Sequence, residues 1–216
     1  MRDETYIAVL LDRSGSMQSI RQDVIGGFNT FIEDQKKAGD NAFLTLVQFD
    51  SVGIDTVLES KPIKDVPALT EATYEPRGGT PLLDALGETI NRTGSALAAI
   101  PEGVRPDKVV FVIITDGQEN ASQTFTKEQV QQMIELQEGT YKWNFVYLGA
   151  NVNSFDEACM MGMKADLAAN YAPNSAGMKA AYAVASRNIR TYRGTSNRDD
   201  LNISKLQREK MMSDEE

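Results

Sequence analysis

The sequence contains no histidine and only one cysteine among its 216 residues. Without histidine, the chain has no imidazole that could act as a general base near neutral pH, and zinc and copper lose a common nitrogen ligand. The single cysteine, Cys159, cannot form an intramolecular disulfide, so nothing in the sequence requires an oxidising compartment. These absences argue against histidine-dependent chemistry and against a fold that disulfides hold together.

Long apolar runs and an excess of positive charge are missing as well. No stretch approaches the roughly 20 apolar residues that a membrane-spanning helix needs, and Asp3 and Glu4 stand where a signal peptide would carry basic residues. The net charge of −9 disfavours nucleic acid as a partner, since phosphate binding depends on lysine and arginine. We therefore expect a soluble, cytoplasmic protein that binds neither membranes nor nucleic acid.

Strand patterns alternate with helix patterns along the chain. Residues 5–11 and 108–115 are apolar on both faces, which is typical of central strands in a parallel sheet covered by helices. A helical stripe at 20–37 follows the first strand, and 42–49 and 54–59 predict an antiparallel hairpin whose second strand is an edge. The other predicted elements are helices at 81–100, 126–137, 154–161 and 175–193, and strands at 143–148 and 165–171. The order predicts an α/β fold with a doubly wound, Rossmann-like, mostly parallel six-stranded sheet, one antiparallel edge strand and helices on both faces.

The length and the apolar content of 41% favour a single sizeable domain, which we place at residues 1–193. After Arg193 the sequence becomes polar and linker-like. Residues 194–216 are therefore predicted to be a polar, flexible C-terminal tail. A weak helical stripe runs through this tail at Leu201, Ile203, Leu206 and Met211.

Oxygen-bearing side chains follow the two central strands and precede a predicted helix, in the segments 12–16, 115–117 and 78–81. Because ligands of open α/β sheets bind at the carboxyl ends of the strands, these segments are expected to converge. Carboxylates and hydroxyls are hard ligands that favour Mg²⁺, with Mn²⁺ or Ca²⁺ as alternatives. Taken alone, the first segment would also suit an ordinary capped helix start. The candidate metal ligands are Asp12, Ser14, Ser16, Thr80 and Asp116.

In this order, the Asp-x-Ser-x-Ser, Thr and Asp elements resemble the metal-ion-dependent adhesion site of von Willebrand factor A-type domains. The resemblance covers about residues 4–193 and implies the strand order 3-2-1-4-5-6. It also implies that Ser14 and Ser16 bind the ion directly, that Thr80 binds it directly or through water, and that Asp12 and Asp116 bind it directly or accept hydrogen bonds around it. Neutral hydroxyls leave the ion's charge incompletely neutralised, so a partner's Glu or Asp can displace a bound water.

The sequence therefore predicts a protein-binding module, not an enzyme, that captures a partner carboxylate through a divalent metal, as an assembly or regulatory component in a bacterium or phage. Two alternatives stay open. One is a metal-dependent hydrolase or phosphatase, although Ser14 stands where aspartyl-phosphate phosphatases usually carry a second Asp. The other is a homo-oligomer in which Asp214, Glu215 and Glu216 complete the metal site of another copy. Loop residues beside the candidate ligands, such as Arg13 and Glu119, are interpreted as solvated.

Overall fold

The computed structural model describes residues 3–150 and 154–213. Its strands are β1 Thr5–Asp12, β2 Ala42–Asp50, β3 Gly53–Pro62, β4 Lys108–Thr115, β5 Asn144–Gly149 and β6 Ala168–Asn170. Its α-helices are α1 Arg21–Lys37, α2 Leu82–Ala98, α3 Lys127–Thr140, α4 Ser154–Met160, α5 Ser175–Thr195 and α6 Lys205–Met211. Short 3-10 turns occupy Gly15–Ile20, Ile63–Asp65, Glu102–Val104, Ala165–Leu167 and Arg198–Leu201.

The six strands form one sheet in the order β3-β2-β1-β4-β5-β6. Strand β3 pairs antiparallel with β2, and all the other pairs are parallel. This confirms the predicted doubly wound sheet, its antiparallel edge strand and its strand order. The chain winds outward in one direction from β1 and in the other from β4, so the crevice of the sheet lies at the carboxyl ends of these two strands.

Both central strands are buried along their whole length, as their apolar runs predict. Side chains such as Ile7 and Val9 of β1 pack into the core cluster formed with α1 and α5. The alternate side chains, such as Tyr6 and Ala8, pack into a second cluster with α2 and α3. The two layers explain why these strands show no polar face. Of the helices in the described ranges, none combines the length and the apolar character that crossing a bilayer requires.

Helix α5 closes the amino end of the sheet through a buried arginine. The guanidinium of Arg193 donates hydrogen bonds to the backbone carbonyl oxygens of Gln35, at 2.7 Å, and Gly39, at 2.6 Å. The ammonium of Lys108, at the start of β4, donates in turn to the carbonyl oxygen of Arg193 at 2.5 Å. These bonds tie the end of α1 and the start of a central strand to the last turns of α5.

The segment after α5 corrects the prediction of a flexible tail. Leu201, Ile203 and Met211 are buried in the same core cluster as α1 and α5. Ser204 caps α6 by accepting the backbone N–H of Gln207. Three of the four apolar residues noted in the sequence are therefore packed, with Leu201 and Ile203 before α6 and Met211 at its end, whereas Leu206 is exposed. Residues 214–216, the end of the predicted tail, lie outside the described residues.

We predict that Leu201→Ala lowers the free energy of unfolding by about 2 to 4 kcal/mol, because it removes a fully buried side chain and leaves a cavity. Leu206→Ala is the matched control, since Leu206 is 76% exposed. Its effect is expected to stay within about 0.5 kcal/mol. Urea unfolding followed by circular dichroism measures both, and equal small effects would contradict the packing of this segment.

Candidate metal site

The loops after β1 and β4 meet through a short chain of side-chain oxygens. The hydroxyl oxygens of Ser14 and Ser16 are 3.0 Å apart, and the Ser16 hydroxyl donates a hydrogen bond to Oδ1 of Asp116 at 2.7 Å. Ser16 and Asp116 are 100 positions apart in the sequence. The sheet therefore brings these three candidate ligands together, as the strand-end argument predicts.

Asp12 lies beneath this chain of oxygens at the end of β1, where it is fully buried. Its Oδ1 accepts the backbone N–H of Ser14 at 2.7 Å, and its Oδ2 accepts the hydroxyl of Thr115 at 2.5 Å. Burial raises the pKa of Asp12 to about 6, against the opposing effect of these hydrogen bonds, and the charge of Asp116 adds to the rise. Burial also raises the pKa of Asp116. Both carboxylates thus lie where their charge is poorly solvated, a situation that a bound cation relieves.

Thr80 faces the same space from the other side. It is buried, and a Cβ atom placed on Gly117 would lie 2.8 Å from the Thr80 hydroxyl oxygen and 3.7 Å from that of Ser16. The absence of a side chain at Gly117 therefore leaves a small space bordered by both hydroxyls. With Thr80, all five predicted site residues are gathered at the carboxyl ends of β1 and β4.

The loop after β1 packs closely against the segment before Thr80 at two glycines. The backbone N–H of Gly15 donates to the carbonyl oxygen of Gly78 at 2.9 Å, and a Cβ on Gly15 would lie 3.3 Å from that oxygen. Gly78 has a φ of +67°, in the left-handed region that other residues rarely adopt. A side chain at Gly15 would fit tightly against the Gly78 carbonyl, and a side chain at Gly78 would be strained and would collide with the hydroxyl of Ser51.

Side chains fasten the loop after Asp116 to the start of α2, among them Glu119, which the sequence analysis interprets as solvated. Asn120 and Thr80 exchange two hydrogen bonds, from the Thr80 N–H to Asn120 Oδ1 at 2.9 Å and from the Asn120 N–H to the Thr80 carbonyl oxygen at 3.1 Å. Glu119 accepts the backbone N–H of Leu83 at 2.9 Å. Asp84 accepts three backbone N–H groups of residues 123–125. The sequence signals for these contacts are Asp84, an acidic residue in the first turn of α2, and the acidic residue Glu119 in the nearby loop.

Arg13 is also buried rather than solvated, with 8% of its surface exposed. Its guanidinium donates to Asp50 at 2.6 Å and to Asp55 at 2.7 Å, and Arg77 donates to the same Asp50 oxygen at 2.9 Å. Burial alone would raise the pKa of Asp50, but the backbone N–H of Val52 and the two guanidinium groups outweigh it, so this pKa is lowered. The network anchors the candidate metal loop to the β2–β3 hairpin.

Two tyrosines hold the carbonyl groups at the strand ends. Tyr74 donates its hydroxyl to the carbonyl oxygen of Asp12 at 2.7 Å, and Tyr171 donates to that of Thr115 at 3.0 Å. Both rings are fully buried, and burial raises the pKa of each phenol well above its usual value, so both stay protonated donors. Sequence reasoning missed them because no local pattern links either tyrosine to its strand end.

The donor set fits a hard divalent ion. Within residues 3–150 and 154–213, no group of three or more His, Cys, Asp or Glu side chains is placed to hold a metal. The candidate site instead combines two carboxylates with three hydroxyls, all oxygen donors of the kind that Mg²⁺, Mn²⁺ and Ca²⁺ accept.

No family model matches the sequence, and no curated protein matches it. Solved structures do match the fold. A von Willebrand factor type A protein from Catenulispora acidiphila has a TM-score of 0.57 and 17% identity, covering 89% of this chain and 42% of that one. Proximal thread matrix protein 1 from the mussel byssus, solved with a zinc-occupied MIDAS motif, has a TM-score of 0.60 and 13% identity, covering 85% and 47%.

The pilus adhesin SpaC from Lactobacillus rhamnosus GG has a TM-score of 0.62 and 14% identity, covering 87% of this chain and 30% of the adhesin. The chain therefore spans less than half the length of each of these proteins. At such identities the likeness is one of fold. It confirms that the architecture is that of von Willebrand factor A-type domains, as the sequence resemblance implies.

We predict that Gly117→Ala lowers the affinity for Mg²⁺ at least tenfold, because the added methyl group would occupy the space between Thr80 and Ser16. Its effect on the free energy of unfolding should stay below about 2 kcal/mol, since the change lies at the rim and outside the core. Isothermal titration calorimetry measures the affinity. Gly139→Ala, where a Cβ meets nothing within 4 Å, should bind Mg²⁺ like the unchanged protein. Equal affinities in the two variants would count against a metal beside Gly117.

Asp50→Asn is expected to change the response of stability to acid. Because the pKa of Asp50 is lower in the folded chain than in the unfolded one, its charge stabilises the fold above about pH 4, and this contribution is lost as the pH falls through the folded value. The variant should lose about 3 kcal/mol of unfolding free energy at pH 7 and show a flatter decline below pH 4. Urea unfolding from pH 2 to 7 measures this. Asp55→Asn, at a side chain that is 55% exposed, should keep the decline.

Proposed function

We propose that this chain is a divalent-metal-dependent protein-binding module that captures a carboxylate of a partner protein. The observation that carries the proposal is the gathering of Ser14, Ser16 and Asp116 oxygens within hydrogen-bond distance, with Thr80 facing the same space beside Gly117. These four residues would hold the ion. This arrangement lies at the crevice of the sheet, where ligands of doubly wound folds bind.

In this proposal Asp12 orients the site rather than facing the partner. Both of its carboxylate oxygens already accept hydrogen bonds, from the Ser14 N–H and the Thr115 hydroxyl. Its negative charge would stabilise the ion from beneath, and its bond to the Ser14 backbone would fix the loop that presents Ser14 and Ser16. The Ser16 hydroxyl, which donates to Asp116, can turn its proton away and offer a lone pair to a metal.

The partner would supply the remaining ligand. Three of the protein's donors are neutral hydroxyls, so the ion keeps a strong attraction for a further anion, and a Glu or Asp side chain of a partner can replace a bound water. Ser16, Gln118 and Asn120 are exposed around the site, which leaves room for an approaching protein surface. We propose Mg²⁺ as the ion, because magnesium accepts an all-oxygen octahedral site and keeps waters that a partner can replace.

Two observations favour binding over catalysis. The sequence has no histidine for proton transfer near neutral pH. Asp12, the residue that would act as the nucleophile in the phosphatase alternative, is fully buried with both oxygens engaged. We propose a non-enzymatic role in assembly or regulation in the cytoplasm of a bacterial or phage-infected cell. The homo-oligomer alternative depends on residues 214–216, which lie outside the described residues.

We predict that a partner protein is recovered from host lysate by the unchanged protein in Mg²⁺ and is lost when EDTA replaces Mg²⁺. Asp12→Ala should lose it in both buffers while keeping a cooperative thermal transition, because the site lies at the rim of the sheet. Asp40→Ala is the matched control, since Asp40 is exposed in the turn before β2, at the amino ends of the strands and away from the candidate site. It should recover the partner in Mg²⁺.

The same experiment separates the alternatives. Recovery of the same proteins in all lanes, or of none, would contradict metal-dependent capture, and phosphatase assays on the purified protein would then test the enzyme alternative. Recovery only of further copies of this chain would support assembly through the acidic terminus. Unfolding of Asp12→Ala would indicate that Asp12 serves the fold rather than a metal.

A further inference from the structure

A cleft of about 280 Å³ opens beside the candidate metal site. Its walls come from the start of α2, the loop after Asp116, the start of α3 and helix α4, and we call it the α4 cleft. The residues that matter most here are Leu82, Leu83, Lys127, Glu157, Met160 and Met161. Leu82 lies two positions after Thr80, and Gln118, which also lines the cleft, lies two positions after Asp116. The cleft is therefore adjacent to two of the proposed metal ligands.

A carboxylate in this cleft lacks a partner. Atom Oε2 of Glu157 is buried and has no hydrogen-bond partner in the described part of the chain. Buried polar atoms nearly always have one, so an exception calls for an explanation. The neighbouring carboxylate of Glu119 is different, because it accepts hydrogen bonds from the N–H groups of Leu83, Ala121 and Ser122 and from the Ser122 hydroxyl. Glu119 thus serves the fold, and Glu157 is the acceptor left for a ligand.

A second buried polar atom without a partner lies on the face of the sheet that the α4 cleft covers. The hydroxyl of Tyr147, on β5, is fully buried and makes no hydrogen bond to any described residue. Burial raises the pKa of this phenol, and the nearby negative charge of Glu157 raises it further. Burial likewise raises the pKa of Glu157, against the effect of Lys127 and with that of Glu119. The positive charge of Lys127 therefore does not offset the burial of the Glu157 carboxylate.

The cleft as a whole suits an aliphatic chain that ends in a cation. Its ionisable residues are Glu119, Glu157 and Lys127, so acidic groups are in excess. The ammonium of Lys127 contacts the sulfur of Met160 at 3.3 Å, and no ion pair joins it to Glu157 among the described residues. Leu82 and Met161 give a buried apolar floor, while Met160 is a half-exposed wall. Methionine side chains adapt to ligands of different shape.

We propose that the α4 cleft receives a lysine or arginine side chain of the same partner whose carboxylate binds the metal. This inference rests on the proposed function. The aliphatic part of the side chain would lie against Leu82 and the methionines, and its cationic end would donate to Glu157. Leu82 and Gln118 line the cleft only two positions after Thr80 and Asp116, so we expect the acid and the cation to lie close together in the partner, and spacings of one to three positions are the ones to test.

The first experiment tests the cleft without relying on the metal site. The full chain with ¹³C-labelled methionine methyl groups is titrated with n-butylammonium and with 1-butanol, and the Met160 and Met161 signals are followed by NMR. We expect both signals to shift and n-butylammonium to bind about fivefold more tightly than 1-butanol, since only the ammonium can pair with Glu157. Glu157→Gln should abolish the preference.

Asp156→Asn is the matched control for this titration. Asp156 is exposed on the same helix and does not line the cleft, so its removal takes away one negative charge without touching the acceptor. The preference for n-butylammonium should survive in this variant. Equal affinities for the two probes in the unchanged protein, a preference that persists in Glu157→Gln, or a loss of preference in Asp156→Asn would each overturn the proposal. A thermal melt checks that each variant is folded.

The second experiment joins the cleft to the metal site. Fluorescent peptides carry one Glu and, one, two or three positions away, either Lys or Met, and their binding is followed by anisotropy in Mg²⁺ and in EDTA. We expect at least one Lys peptide to bind about fivefold more tightly than its Met counterpart, and Glu157→Gln to remove the difference. Equal binding of every such pair would overturn the proposal. Peptides that bind equally tightly in Mg²⁺ and in EDTA, with the lysine preference retained, would instead overturn metal-dependent capture while retaining the cleft as a cation site.

Discussion

The parallel, in-register pairing of β1 with β4 is the constraint on which the site depends. Thr5 pairs with Lys108 and Leu11 with Ile114, so the two strands end at the same level of the sheet. A slip of one residue would turn every side chain of a strand to the opposite face, and both faces here are packed against helices. Asp12 and Asp116 are adjacent because the core fixes this register. The positions of the site residues at the rim are thus fixed by the packing of apolar side chains that do not themselves contact the site.

Two buried carboxylates at this rim have opposite electrostatic surroundings. Asp50 accepts hydrogen bonds from the guanidinium groups of Arg13 and Arg77, and its pKa is lowered. Asp12 accepts from uncharged donors, the Ser14 N–H and the Thr115 hydroxyl, and burial raises its pKa. Arg13 follows Asp12 in the sequence, yet its side chain pairs with Asp50 and Asp55. The protein thus supplies the counter-charge of Asp50 itself and supplies none for Asp12 within the described residues, which is the arrangement expected where an external cation binds.

The sequence predicted those features that repeat within a short window or mark the end of an element. Strand β4 was predicted with its observed bounds, and Asp12, Ser14, Ser16, Thr80 and Asp116 were identified because each lies at an element boundary. That these residues bind a metal stays a prediction. The burial of Arg13 could not be predicted, because its partner Asp50 is 37 positions away and belongs to another strand. The tail was misjudged for a similar reason: whether Leu201 is buried depends on the surface of α5, which local composition does not describe.

The arginine that closes the amino end of the sheet has a consequence for the order of folding. Arg193 bonds to Gln35 across 158 positions of sequence, and the Lys108 ammonium bonds to the Arg193 carbonyl across 85. Contacts between such distant residues form only after a large loss of chain entropy, which slows folding. During synthesis, α1 and the start of β4 emerge before Arg193, the residue that ties them to α5. Until α5 has left the ribosome, the apolar strands of the first half of the domain stay incompletely covered. A chaperone can bind this exposed surface during that interval.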